Sequence, residues 1–143
     1  MKNYFALSLL FISSLIQAQE KEVQQTIEVF FEGFHQKDSL KIKSVCAEKM
    51  ILQSISEGKK GNKFEDEKPS DFYKSIVTIP NDLQFEEKIL SYNIQVDGAM
   101  AHIWTPYEFY INGKLSHSGV NAFTLFKENS TWKIIYIIDT RRQ

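Results

Sequence analysis

A chain of 143 residues has room for one domain with one hydrophobic core. Its 17 Lys and Arg stand against 18 Asp and Glu, a formal net charge of −1 with neither a basic stripe nor an acidic block, which argues against nucleic acid as a partner. Aromatic residues make up 13% of the sequence and Phe occurs 11 times, so the core is built from large side chains that leave irregular space between them.

Residues 1–18 read as a signal peptide. Lys2 is a short positive n-region, Tyr4 to Ile16 is an apolar h-region too short for a comfortable membrane span, and Ile16-Gln17-Ala18 offers cleavage after Ala18. The alternative is a buried N-terminal helix. On the first reading the mature chain, 19–143, is a single exported domain, periplasmic or secreted, with no membrane span left. Cys46 is the only cysteine, so it makes no internal disulfide, and it lies too far from the cleavage point to carry a lipid. A lone thiol of this kind is expected to be buried and inert.

Gln19 to Gln36 is expected to be a helix, with Val23, Ile27, Phe30, Phe31 and Phe34 forming one apolar stripe. His35 sits at its end, where a positive charge is favourable. Lys37-Asp38-Ser39 breaks the pattern, and Asp38 is an N-cap for a short second helix to about Val45. Met50 to Ser56 is a short strand, and the polar stretch Glu57 to Lys68, with Gly58 and Gly61, reads as a loop or lid. Pro69 starts a helix to about Thr78 with Phe72, Tyr73 and Ile76 inward. From Phe85 to Val96 the period is two, with Leu90, Tyr92, Ile94 and Val96 on one face. Three strands follow, Ala99–Tyr110, Lys114–Lys127 and Thr131–Thr140, joined by Asn112-Gly113 and by the longer turn Glu128-Asn129-Ser130. Helices grouped before an antiparallel sheet make the class α+β.

A tight Asn112-Gly113 turn implies a register that sets Glu108 opposite His117, Pro106 opposite Gly119 and Trp104 opposite Asn121. One face then carries His102, Trp104, Glu108, His117, Asn121 and Phe123, and the other carries Ile103, Thr105, Tyr107 and Phe109. The last strand is apolar on both sides, Trp132, Ile134, Tyr136 and Ile138 against Ile135 and Ile137, and the length of the second turn leaves open which side joins Trp104. Sheet faces that are both apolar need two covers; the helices supply one and a second copy of the chain supplies the other.

The sharpest chemical pair is Glu108 with His117. A carboxylate beside an imidazole raises the histidine pKa and orients the ring, as a general base requires, although the pair also reads as a structural cross-strand contact. Asn121 among aromatics suits a hydrogen bond to a ligand or to backbone. The histidines 35, 102 and 117 are too scattered to hold a metal, and no nucleophile motif is present. Arg141-Arg142 reads either as an anion contact at a cavity mouth or as a solvated terminus.

The helices, together with Trp104-Thr105-Pro106-Tyr107-Glu108-Phe109, His117-Ser118-Gly119, Phe123-Thr124-Leu125-Phe126 and Trp132-Lys133-Ile134-Ile135-Tyr136, resemble the nuclear transport factor 2-like superfamily, in particular its exported, lumazine-binding-like bacterial branch. The resemblance implies a cone: a strongly bent antiparallel sheet wrapped on N-terminal helices, a cavity at the wide end, and a homodimer through the sheet face. Its enzymes, ketosteroid isomerase, scytalone dehydratase and polyketide cyclases among them, place an Asp, His or Tyr inside the cone, and Glu108, His117 and Asp139 are the stand-ins here.

Three functions fit these readings. The first is an exported module that holds a small apolar or aromatic molecule against Trp104, Phe123 and Tyr136, oriented by Glu108, His117 and Asn121, without cofactor or metal. The second is an isomerase, dehydratase or cyclase with His117 or Glu108 as base. The third is a structural dimer with a filled cone.

Overall fold

The computed structural model describes residues 2–143, with side chains described from residue 16 onward. Most of the expected signal peptide therefore lies outside the described side chains. No helix among the described residues is long and apolar enough to cross a membrane.

Helix α1 spans Lys2–His35. Its expected stripe forms: Val23, Ile27, Phe30 and Phe31 are buried and Phe34 packs beside them. Lys37 takes a left-handed conformation (φ 57°) and turns the chain. Asp38 then accepts hydrogen bonds from the backbone N–H groups of Leu40 and Lys41, both at 3.0 Å, and so caps α2, Ser39–Val45. Helix α3, Pro69–Val77, begins at its proline and buries Ile76, with Phe72 and Tyr73 packed on the core.

Seven strands follow the order β2-β1-β7-β6-β5-β3, with β4 also on β5. Their spans are β1 Cys46–Gly58, β2 Gly61–Glu67, β3 Phe85–Ile89, β4 Asn93–Asp97, β5 Met100–Ile111, β6 Lys114–Glu128 and β7 Thr131–Arg142. All pairings are antiparallel except β1 with β7. The sheet is strongly curved and unclosed, and the helices cover its concave side, so the architecture is the α+β cone. Phe30 and Phe31 of α1 meet Phe123 of β6 edge-to-face, with ring centres 5.7 and 5.9 Å apart.

Several expectations are corrected. The polar stretch after Glu57 is no lid, because Gly61–Glu67 pairs with Leu52–Gly58 as a hairpin. Every residue of β2 is exposed, so the strand is held by its backbone ladder and leaves no period-two apolar trace. The single strand expected from Phe85 to Val96 is broken at Leu90–Tyr92, opposite Pro106. Proline has no N–H to give the ladder on that side; its carbonyl takes Leu90 N–H at 2.9 Å, and the strand resumes one residue out of phase. Leu90 thereby faces solvent, while Phe85, Glu87 and Ile89, then Tyr92, Ile94 and Val96, face inward.

The first hairpin turn is tight as expected, with Asn112 at φ 49° and Gly113 at φ 75° and Ile111 opposite Lys114. Two pairs on, Ser116 is an extra residue, and beyond it the register moves by one: Phe109 faces His117, Tyr107 faces Gly119 and Thr105 faces Asn121. The second turn also has two residues, Asn129 (φ 47°) and Ser130 (φ 67°), with Glu128 opposite Thr131. Ile135 is the extra residue in β7. Trp132 and Ile134 point inward before it, and Ile137 and Asp139 point inward after it. These bulges exchange the two faces deduced from unbroken alternation, since a shift of one residue carries each side chain to the other side.

Gly119 permits a close approach of backbone within the sheet. A Cβ there would sit 1.7 Å from the Thr140 carbonyl oxygen and 3.0 Å from the Tyr107 ring. Tyr107 lies across this gap and donates its hydroxyl to the same carbonyl at 2.8 Å. Gly119→Ala forces backbone to move and is expected to cost about 3 kcal/mol, read as a lowered urea midpoint. A midpoint unchanged from wild type would show that the strands here part more easily than this geometry allows.

Candidate functional site

The curved sheet and the helices enclose a cavity of about 280 Å³. Its apolar wall comes from Phe30, Phe31 and Phe34 of α1, Phe72 of α3 and Phe123 of β6. Phe30 and Phe72 lie parallel with ring centres 6.2 Å apart. The other end is polar and gathers Glu67, Glu87, His117, Asn121, Asp139 and Arg141.

Glu87 is aimed inward by its neighbours. Ile89 and Phe85 flank it at period two, the first packed on the core and the second on the Phe34 and Phe109 rings, so the carboxyl is carried in with them. Asn121 donates its amide to Glu87 Oε1 at 2.6 Å, while the Glu87 backbone N–H donates to His35 Nε2 at 3.0 Å. Loss of solvent, opposed by the Asn121 bond, pushes the Glu87 carboxyl up to about 7. Burial also raises Glu67 and Tyr107.

His117 stacks on Phe109 with ring centres 4.8 Å apart and meets Tyr107 edge-on. Burial first, and then the Arg141 charge, lower its pKa, so the imidazole is disposed to be neutral. Asp139 takes Arg141 Nε at 2.7 Å, which commits the cavity's guanidinium to a neighbour two residues away. His35 was expected to carry charge at the helix end; burial lowers it instead, and it serves as an acceptor that ties β3 to α1. Cys46 is buried and its thiol is pushed up to about 11. Among the described residues no group of three or more His, Cys, Asp or Glu is placed to hold a metal ion.

Of the residues singled out from sequence, His117, Asn121 and Phe123 line the cavity. Trp104, Glu108 and Tyr136 do not. Trp104 is on the outer face and 48% exposed, Glu108 accepts the Tyr110 hydroxyl at 2.8 Å, and Tyr136 donates to Gln53 Oε1. The Glu108–His117 dyad is therefore absent: Glu108 opposes Ser118, and His117 opposes Phe109. His102 opposes Thr124 and lies outside the cavity lining. The extra residues at Ser116 and Ile135 are the physical cause for Glu108 and Tyr136 respectively, because each reverses the alternation beyond it. Arg141 lines the cavity, whereas Arg142 pairs with Glu57 at 3.0 Å. Glu87 was missed because unbroken alternation from Tyr92 and Ile94 places it on the other face, and only the break at Leu90–Tyr92 turns it inward.

The chain matches no protein-family model and no curated protein. Solved structures do resemble it. A nuclear transport factor 2-like protein of unknown function from Shewanella baltica is 12% identical, with 88% of this chain and 95% of that one covered at a TM-score of 0.64. A protein of the same family from Streptomyces avermitilis, proposed in its description to be a dehydratase, is 13% identical over 89% and 98% of the two chains at a TM-score of 0.65. A protein of unknown function from Mycobacterium tuberculosis is 12% identical over 89% and 78% at 0.68. The chain thus has the nuclear transport factor 2-like fold, and at these identities the likeness speaks for fold alone.

Glu87 makes stability depend on pH. Its folded-state pKa is above the ordinary value of 4.5, so the folded chain holds a proton that the unfolded chain releases. That contribution is complete below about pH 4.5 and is lost as pH rises through about 7, by up to about 3 kcal/mol. Glu87→Gln keeps an acceptor for Asn121 and removes the titration. The variant is expected to be more stable than wild type near pH 8 and to lose that advantage near pH 4.5, measured by urea unfolding. An advantage equal at both pH values would mean that Glu87 is not buried as a proton-holding acid.

Proposed function

We propose that the protein is an exported module that binds a small, partly apolar molecule inside the cone. The observation that carries this reading is the 280 Å³ cavity, aromatic on one side and polar at the other. A wall of apolar rings with a few convergent polar groups at one end is the usual form of a small-molecule site, and the volume is at the lower limit of such sites, which favours a compact ligand. Phe30, Phe72 and Phe123 hold its apolar body; Glu87, Asn121 and His117 orient its polar end.

Export rests on the n-region, h-region and Ala18 site. Ile16, Gln17 and Ala18 are exposed while the buried stripe starts at Val23, so cleavage after Ala18 removes none of the described core residues. The likeness to the lumazine-binding-like branch belongs to this same proposal and points to a periplasmic or secreted product. A second copy of the chain covers the outer sheet face, where Met100, Trp104 and Phe126 stand exposed together with partly exposed Tyr136 and Ile138.

A second reading is favoured by one feature. Glu87, at the polar end of the cavity with a carboxyl pushed up to about 7 by loss of solvent, has the properties of a general acid or base in an isomerase or dehydratase. In that case Glu87, in place of Glu108, moves the proton, and Asn121 holds it in position.

Two measurements test the main reading. Native mass spectrometry of protein exported from its source is expected to give a chain beginning at Gln19 and a co-purifying small molecule, and Phe72→Trp, which narrows the cavity, is expected to lower its occupancy at least about tenfold. Full occupancy in that variant would move the ligand out of the cone. Separately, Trp104→Glu is expected to convert dimer to monomer in light scattering without changing the far-UV spectrum, because it places a charge in the proposed interface; an unchanged dimer would reject this face.

A further inference from the structure

We infer that the cone selects a ligand with a cationic amine, seating the ammonium group against Glu87 and the apolar body among Phe30, Phe72 and Phe123. This rests on the binding reading above and gives it a ligand class.

The first ground is the charge of the lining. Three carboxylates, Glu67, Glu87 and Asp139, face the cavity against one guanidinium, Arg141. Arg141 is already bound to Asp139 at 2.7 Å. An anionic ligand would find one cation, already neutralised by Asp139, and two further acids, whereas an ammonium supplies the charge the lining lacks.

The second ground is the geometry of Glu87. Its Oε1 takes the Asn121 amide at 2.6 Å, and its Oε2 has no hydrogen-bond partner among the described residues while the side chain lines the cavity. The groups around it from each packed element supply no net counter-charge, because Asp139 offsets Arg141. His35 of α1 uses Nε2 to accept the Glu87 backbone N–H, His117 of β6 is disposed to be neutral, and Tyr107 and Phe109 of β5 carry no charge. Asp139 and Arg141 of β7 oppose each other, and Glu67 of β2 adds a further acid. A donor with a full positive charge satisfies Oε2 better than a neutral one, because charge-assisted hydrogen bonds are about twice as strong.

The third ground is the wall. Phe30 and Phe72 present parallel rings, and Phe123 closes on Phe30 edge-to-face. Aromatic faces accept an ammonium as well as a hydrocarbon, so the apolar region does not penalise the charge at its border as an aliphatic wall would.

Binding of an ammonium favours the ionised carboxyl. At and below about pH 7, where Glu87 holds a proton, the ligand must displace it, so affinity rises with pH through that range. A neutral ligand that accepts a hydrogen bond from protonated Glu87 has the opposite dependence.

The test compares three probes of similar shape on the full chain by titration calorimetry: phenethylamine, phenethyl alcohol and hydrocinnamate. The amine is expected to bind at least about tenfold tighter than the alcohol near pH 8, with hydrocinnamate weakest. Its affinity is expected to fall on acidification to about pH 5, with proton release seen as a dependence of the heat on the buffer. Glu87→Gln is expected to erase the amine's advantage over the alcohol, with a cooperative urea transition showing that the variant is folded. Equal or tighter binding of the alcohol or the acid overturns the amine assignment and leaves the binding reading standing. Failure of all three to bind a chain that melts cooperatively overturns both.

Discussion

One extra residue, Ser116, decides which side of the central hairpin becomes the inside of the molecule. Without it, Phe123 would share a face with Trp104 and Glu108, and Ile103 and Tyr107 would point the other way. With it, Ile103, Thr105, Tyr107 and Phe109 line up with Phe123, Asn121, Gly119 and His117. The balance of energies explains the choice. An unpaired residue in a ladder forgoes about 1 kcal/mol of hydrogen bonding, and here it is solvent-exposed, whereas full burial of Ile103 and Phe123 together contributes about 2–3 kcal/mol for each side chain. Ile135 does the same for β7 and lets Trp132, Ile134 and Ile137 all reach the core.

The same device creates the polar end of the cavity. Once β6 is turned, His117 and Asn121 come in with Phe123, and Asn121 reaches across to Glu87 at 2.6 Å. Gly119 lies between them, and the absence of a side chain there lets Tyr107 cross to Thr140. The result is a carboxyl withdrawn from solvent and held by one amide and a backbone contact to His35. Such a group costs stability when ionised, and here it stands at the border of an unfilled space.

The two faces of the sheet then have different tasks. Inside, α1 and α3 supply the rings that complete the cavity wall. Outside, Trp104, Met100 and Phe126 stand uncovered in the single chain, with Glu108 held by Tyr110 at the same surface. The tryptophan and the acid that read as site residues from the sequence belong to this outer surface, which the structure leaves for a different kind of contact.

Much was legible before any coordinates. Period 3.6 in Val23 to Phe34, the Asp38 cap, Pro69 at a helix start and Asn112-Gly113 are local signals, each satisfied within a few residues of chain, and they specify the α+β class, while the cone was what the family resemblance implied. Phe85, Glu87 and Ile89 were readable as one set, but unbroken alternation placed it on the face opposite Tyr92 and Ile94. What alternation could not supply was the position of Ser116, Ile135 and the break opposite Pro106, because a bulge adds a residue without any composition of its own. Its place is set by which long-range pairing buries more apolar surface, and that comparison exists only when the strands have met. The sequence by itself determined the elements and their order; only the tertiary structure decided that His117 and Asn121 meet Glu87 while Glu108 and Trp104 turn away, since face membership beyond a bulge is a property of the assembled sheet.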